Sequence, residues 1–237
     1  MALDYTAHLR SDGEKMAVAV ARDLDAHVPT CPAWNVAKLT IHTGGHHRWV
    51  ADAVRKRGGV PDEPRKPGLR GDALVEWFRA GWRDLADLLD GVADDEPAWS
   101  WSGDNRAGFW RRRTALETLV HRWDAENAVG DATALDPELS TDGVDEMLFV
   151  MVGQGGAYRG PGIRVAIDCS DTGARWGLDL VDGEPPHASA GAAHGDVAVR
   201  GAAADVLLFL WGRRGPGSVD LTGEEASRVA LLRWMSG

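Results

Sequence analysis

Apolar and small residues recur at helical spacing through the N-terminal part of the chain. Their recurrence between about residues 3 and 24 predicts a first helix, which stops at the turn-rich stretch 27–32. Asn35 is a plausible N-cap for a second helix. The inward stripe of that helix would consist of residues three, four or seven apart, namely Val36, Thr43, His47, Val50 and Val54.

Further helical segments follow in the same half of the sequence. A third helix, capped by Asp72, and a fourth, over residues 109–129, are predicted after two long loops. A fifth segment at about residues 142–151 leads into the glycine-rich sequence 153–156. We therefore predict a helical domain over residues 1–154.

Beyond residue 155 the periodicity changes to that of strands. Residues 163–167 and 176–180 alternate between apolar and polar positions and predict a hairpin. Two more short strands, at 197–199 and 219–221, are each followed by a helix, at 202–213 and 223–235 respectively. A second domain over residues 155–237 is therefore expected to be α+β, and the whole chain an α+β two-domain protein.

Composition narrows the class of protein. The 237 residues are 44% hydrophobic and 26% charged, without an apolar run near the ~20 residues of a membrane span. No basic segment followed by an apolar one opens the sequence, so a cytoplasmic protein without a membrane partner is expected. Cys31 and Cys169, the two cysteines, form no Cys-x-x-Cys pattern, as is typical of a reducing compartment.

The charge distribution disfavours nucleic acid as a partner. A formal net charge of −10 argues against surfaces that neutralise phosphates. The basic run 111–113 would open the fourth helix, either as a solvated helix face, which is our interpretation, or facing an anionic substrate.

The tripeptide His-Arg-Trp occurs twice, at residues 47–49 and 121–123, and Glu117 stands four residues before the second histidine. Residues four apart share one helix face, so Glu117 and His121 can direct an oxygen and a nitrogen at one point. With His47 as third ligand, this is the ligand count of a catalytic zinc site with one open position.

Other residues compete for these roles. His42 and His46 lie on the same predicted helix as His47, and periodicity does not decide which of the three binds a metal. The pair Glu117 and His121 would, taken alone, also suit a surface hydrogen bond. Cys31 is interpreted as structural because it lies in a turn.

Longer sequence blocks contain these motifs and are spread over nearly the whole chain. Three lie in the N-terminal part and one in the C-terminal part: Val28–Trp34, His42–Trp49, Glu117–Ala128 and Ala204–Arg213. They resemble the signature blocks of the mycothiol-dependent maleylpyruvate isomerase family. That resemblance implies a DinB-like four-helix bundle followed by a small domain similar to sterol carrier protein folds.

The resemblance also implies the site. By the family pattern, in which the ligand directly precedes Arg-Trp, the metal ligands would be His47, Glu117 and His121. The implied metal is zinc, although other divalent ions suit the same donors. Alanine at position 47 or 121 is accordingly expected to abolish zinc binding, and alanine at position 42 is not.

Asp124 would orient its neighbours. Arg213 would bind a substrate carboxylate, or otherwise end a helix in water.

The implied activity uses mycothiol as the thiol cosubstrate. Its thiolate would add to the cis double bond of maleylpyruvate, and elimination after bond rotation would give fumarylpyruvate. The same site supports S-transfer where the adduct persists. Alternatives are a non-catalytic module that binds metal or ligand for sensing, and metal-assisted hydrolysis. The expected partners are a small electrophile and a low-molecular-weight thiol, with the protein a monomer or homodimer.

Overall fold

The computed structural model describes residues 3–191 and 194–235. Within these ranges the chain forms two compact units, which divide between Thr133 and Ala134. The first unit consists of four helices, α1 (Tyr5–Val20), α2 (Val36–Arg55), α3 (Gly71–Asp90) and α4 (Ala107–Ala128). The predicted helical bundle is therefore confirmed.

Side-chain caps begin two of these helices. Asp4 accepts a hydrogen bond from the backbone N–H of Ala7, and Asn35, as predicted, accepts one from Lys38. Asp72 was expected to cap the third helix. It lies instead in the first turn, after the N-cap residue Arg70, where a carboxylate is stabilised by the helix dipole.

The core of the bundle combines apolar packing with buried polar groups on α4. Fully buried apolar residues from all four helices include Leu9, Met16, Leu39, Phe78, Leu85 and Trp110. Yet α4 also buries Thr114, Thr118, His121, Arg122, Asp124 and Glu126. Such groups are tolerated inside a protein only where they are paired, and Arg122 pairs with Asp12 and Glu126 at 3.2 Å each. The polar side of α4 therefore needs a specific explanation.

The second unit is the α+β part. Helix α5 (Pro137–Glu146) continues into a π-helical turn (Met147–Met151) and a 3₁₀ turn (Val152–Gly155). The strands are β1 (Ile163–Cys169), β2 (Arg175–Leu180), β3 (His187–Ala190), β4 (Val197–Gly201) and β5 (Asp220–Gly223), with α6 (Ala203–Leu210) and α7 (Glu225–Met235). The predicted α+β class is confirmed.

The sheet has the order β3-β2-β1-β4-β5. The predicted hairpin is β1 with β2, which pair antiparallel, whereas β1 and β4 pair parallel through a crossover. Strand β3 lies in a stretch of small and polar residues that the sequence pattern did not identify as a strand.

The division between the units lies ahead of the boundary predicted at residue 154. Helix α5 belongs to the second unit, where its Asp145 carboxylate accepts a hydrogen bond from Trp176 Nε1 on β2 at 3.1 Å. The glycines at 153–156 lie in and directly after the 3₁₀ turn, within the second unit. Across the described residues, no helix has the length and apolar character needed to cross a membrane.

Candidate metal centre

Two neighbouring turns of α4 bring Glu117 and His121 together as predicted. Glu117 Oε1 lies 3.1 Å from His121 Nε2. The local geometry of a helix is sufficient for this contact, because side chains four residues apart stack on the same face.

The third member of the cluster comes from α2 and is His42. Its Nε2 lies 3.4 Å from the same Glu117 oxygen. The candidate donor atoms of His42, Glu117 and His121 all lie within 4.8 Å of one another. His121 is buried, whereas the His42 side chain is 43% exposed, so the cluster is open to solvent on the His42 side.

His47 lies elsewhere. It is fully buried, and its Nε2 lies 3.0 Å from Thr118 Oγ1, which itself donates to the Thr114 carbonyl. Since that hydroxyl proton is already used, His47 Nε2 is the donor. Five helical residues separate His42 from His47, which places them about 140° apart around α2. The structure therefore brings His42 and not His47 to Glu117 and His121.

His46 also lies outside the cluster. Its ring packs near Trp49 and Trp110, and its Nε2 is buried without a hydrogen-bond partner in the described part of the chain. Burial lowers the pKa of His46 to about 4. It is therefore a neutral side chain at physiological pH, in a wall beside His42.

Asp124 holds His121 in position. Asp124 Oδ2 lies 2.9 Å from His121 Nδ1, and Asp124 Oδ1 accepts a hydrogen bond of 2.6 Å from Thr30 Oγ1 in the loop between α1 and α2. A carboxylate on Nδ1 fixes the tautomer that leaves the Nε2 lone pair available, an arrangement common behind metal-binding histidines. This is the orienting contact that the sequence predicted for Asp124.

The basic run 111–113 does not lie wholly in solvent as we interpreted it from the sequence, and Arg113 shows this most clearly. Its side chain is buried, and its guanidinium pairs with Glu117 Oε2. Arg111 likewise turns inward, to the carbonyls of Leu89 and Val92. The run is thus not a purely solvated helix face. The spacing of four residues between Arg113 and Glu117 was the available signal.

The electrostatics of the cluster favour a cation beside Glu117. Burial opposes ionisation of Glu117, but Arg113 and His121 outweigh it and hold the pKa of that carboxyl well below its usual range. Burial likewise opposes protonation of His121, yet Glu117 and Asp124 together raise the pKa of His121 to about 9. The negative potential that retains a proton on His121 would also attract a divalent cation.

Two of the three donor separations suit a shared tetrahedral metal. Two donors bonded to a tetrahedral zinc ion at about 2.05 Å lie roughly 3.3 Å apart. The separations of Glu117 Oε1 from the two imidazole nitrogens, 3.4 and 3.1 Å, are close to this value. Two imidazoles and a carboxylate leave one tetrahedral position for water or substrate.

A cleft of about 550 Å³ adjoins the cluster within the helical unit. Its apolar walls include Trp34, Trp49 and Trp77, and the Trp34 ring packs against the His42 ring at 4.8 Å between centroids. Its charged lining consists of Lys38, Glu63, Arg65 and Lys66. The cleft therefore combines aromatic surface with a net positive charge.

Four further residues from the sequence motifs, Trp49, Trp123, Cys31 and Arg213, make contacts within their own units. Trp49 packs edge-on against Trp110 at 5.3 Å, and Trp123 is buried. Cys31 is partly buried against the core. In the second unit, Arg213 donates to the Trp211 carbonyl at 2.8 Å and lies 5.7 Å from the centre of the Trp211 ring.

Fold and site together define a class: a two-unit protein whose helical bundle carries a cluster of two histidines and a glutamate beside a cleft. Residues 7–126 match the family model of the mycothiol maleylpyruvate isomerase N-terminal domain, and residues 138–230 match that of the C-terminal domain of the same enzymes. The chain belongs to the mycothiol maleylpyruvate isomerase family.

Solved structures agree on the fold. The chain is similar to a crystal structure of the mycothiol-dependent maleylpyruvate isomerase, with a TM-score of 0.69 at 13% identity, and to a histidine-to-alanine mutant of that enzyme, with 0.67 at 14%. Each match covers 94% of both chains. A comparison with curated proteins found no match.

Proposed function

We propose that this protein is a metal-dependent, mycothiol-using isomerase of the maleylpyruvate type, with thiol S-transfer as the related activity of the same site. The observation that carries the proposal is the cluster of His42, Glu117 and His121 beside the cleft, in a chain of this family. The proposed metal is zinc, held by these three residues.

The surrounding residues prepare the site for a cation and a thiol. Asp124 fixes the ring of His121, and Arg113 fixes the second oxygen of Glu117, so that one carboxylate oxygen is left facing both histidines. A bound divalent metal would supply Lewis acidity that lowers the pKa of a thiol in the open position. The exposed edge of His42 marks the side from which that thiol would approach.

The proposed reaction leaves the thiol unchanged. The thiolate sulfur forms a bond to one carbon of the cis double bond, and the electron pair moves onto the conjugated carbonyl. Rotation about the new single bond follows. Re-formation of the double bond expels the thiolate and gives the trans product. Where the enolate instead takes a proton from solvent at carbon, a thioether remains, which is S-transfer.

The cleft has the charge required by an anionic electrophile. Three cationic side chains, Lys38, Arg65 and Lys66, and a single carboxylate, Glu63, line it. Carboxylates of the substrate would pair with these cations while its carbon skeleton packs against the tryptophans. Arg213 stays a proposed carboxylate ligand from the second unit, to be tested by the kinetics of Arg213→Gln.

The direct test is an assay of maleylpyruvate consumption by zinc-loaded protein, with and without mycothiol. Thiol-dependent formation of fumarylpyruvate, lost on metal removal and regained on zinc addition, is the expected result. A stable thioether product would assign S-transfer instead. Turnover that does not require thiol would favour hydrolysis, and bound zinc without turnover of any electrophile would favour a binding module; either result contradicts the proposal.

A further inference from the structure

The C-terminal unit contains a cavity of about 990 Å³. That volume is at the upper end of the range of ~300–1,000 Å³ typical of ligand pockets. Its walls come from the π-helical turn, from β2, from the end of α6 and from one face of α7. They include Met147, Met151, Leu178, Trp211, Val229 and Trp234.

The charged groups of this cavity are all of one sign. Arg159 and Arg233 line it, and none of the lining side chains in the described residues is acidic. Neither guanidinium forms an ion pair within residues 3–191 and 194–235. The nearby Asp182 carboxylate accepts a hydrogen bond from the backbone N–H of Gly160 and does not pair with Arg159, so an apolar cavity in a chain with a net charge of −10 is lined by two cations that pair with no carboxylate of the described residues. A carboxylate is the group that a guanidinium binds with best geometry.

The local backbone also distinguishes the cavity. The segment Met147–Met151 is π-helical, a conformation that is rare and often occurs at functional sites. Both methionines of this turn face the cavity. Methionine side chains are flexible and polarisable, so such a wall adapts to apolar ligands of different shape. Val229 on α7 is 38% exposed although it lines the same space, which means that apolar surface is available to a ligand.

We propose that this cavity binds an amphipathic carboxylate, a molecule with one carboxylate head and an unbranched hydrocarbon tail. The head pairs with Arg159 and Arg233, and the tail packs against the methionines and tryptophans. The residues that line the cavity belong to the C-terminal unit, whereas His42, Glu117 and His121 belong to the helical unit, and the proposal does not depend on the activity proposed for them.

The test is isothermal titration calorimetry of the full-length, zinc-loaded protein with decanoate, and with decyltrimethylammonium as a probe of equal chain length and opposite charge. We expect one decanoate per chain and no saturable binding of the cationic probe. Replacing both Arg159→Gln and Arg233→Gln should weaken decanoate binding about tenfold or more. Arg200→Gln, an exposed arginine on β4 that does not line the cavity, is the matched control and should bind as the wild type does.

Two further variants locate the site. Ala226 is exposed and lines the cavity, so Ala226→Phe should fill part of it and weaken binding without loss of fold. His42→Gln should leave decanoate binding unchanged, which separates this site from the metal centre. Equal binding of both probes, unchanged binding in the double arginine variant, or the absence of decanoate binding to wild type would each overturn the proposal.

Discussion

At the scale of single residues, Asp124 connects the bundle to the candidate metal ligands. It is fully buried and bonds to Thr30 on one side and His121 on the other. We predict that Asp124→Asn lowers zinc affinity about 10- to 100-fold, because the His121 tautomer is no longer fixed by a carboxylate. Competition with a chromophoric chelator measures this. Asp25→Asn, in an exposed loop, is the control, and equal affinity of both variants would refute the orienting role.

We expect the free energy of unfolding to depend on pH because of His46 and His47 on α2. Burial lowers the pKa of His46 to about 4 and that of His47 well below its usual range, whereas both titrate near 6.5 in an unfolded chain. Between about pH 6.5 and pH 4 the unfolded state therefore binds more protons at these two positions, and their contribution to the free energy of unfolding falls with falling pH.

Urea unfolding of the metal-free protein at pH 7 and pH 5 tests this. His46→Phe removes one of the two groups and should lose less stability than the wild type over the same interval. His121, whose raised pKa acts in the opposite sense, is common to both proteins and cancels in the comparison. Identical losses would show that His46 does not titrate as proposed.

The predicted contact between the two candidate ligands on α4 is present, whereas His47, the ligand predicted on α2, lies apart from them. Glu117 and His121 lie on one helix, so their contact follows from local geometry. The choice among His42, His46 and His47 depends on how α2 is rotated relative to α4. That rotation is set by packing of the whole bundle, in which His47 fills a core position beside Phe78.

At the scale of elements, glycines set how closely the helices of the bundle approach. A Cβ added to Gly44 on α2 would lie 2.9 Å from Trp77 Cη2 on α3, with Trp77 Cζ3 closer still. At Gly45 the nearest atom is Pro64 Cγ at 3.7 Å, an ordinary contact. These adjacent positions on one helix therefore provide a matched pair.

We predict opposite effects of alanine at these two positions. Gly45→Ala should stabilise the protein by up to about 1 kcal/mol through helix propensity. Gly44→Ala should destabilise it by about 1–3 kcal/mol, because the indole of Trp77 must move. Urea unfolding measures both. Stabilisation by Gly44→Ala would mean that α2 and α3 are not packed as closely as described.

Element prediction succeeded where the periodicity was strong. The four helices and the β1–β2 hairpin follow from apolar spacing, and Asn35 from its capping chemistry. Strand β3 was missed because His187–Ala190 carries small and polar side chains and is mostly exposed. Its pairing with β2 is a tertiary property. The division between the units differs from the boundary predicted at residue 154 for the same kind of reason, since α5 packs with elements that are distant in sequence.

At the scale of the whole molecule, the chain consists of two units with separate cores, and the candidate metal ligands all belong to the first. A ligand that binds only the folded state stabilises the part of the protein that forms its site. We predict that chelation of the metal increases amide hydrogen exchange in α2 and α4 and leaves the β1–β2 hairpin unchanged. Hydrogen exchange with mass spectrometry resolves the two regions, and equal deprotection of both would contradict the prediction.

His42, and not His47, is the residue that we propose completes the metal centre with Glu117 and His121. The most direct test is zinc content by elemental analysis of His42→Gln and His47→Gln after equal loading. In the second variant, the glutamine amide can still donate to Thr118, which preserves the core contact. We expect loss of stoichiometric zinc in His42→Gln and about one zinc per chain in His47→Gln. Zinc retained by His42→Gln and lost from His47→Gln would contradict the proposal.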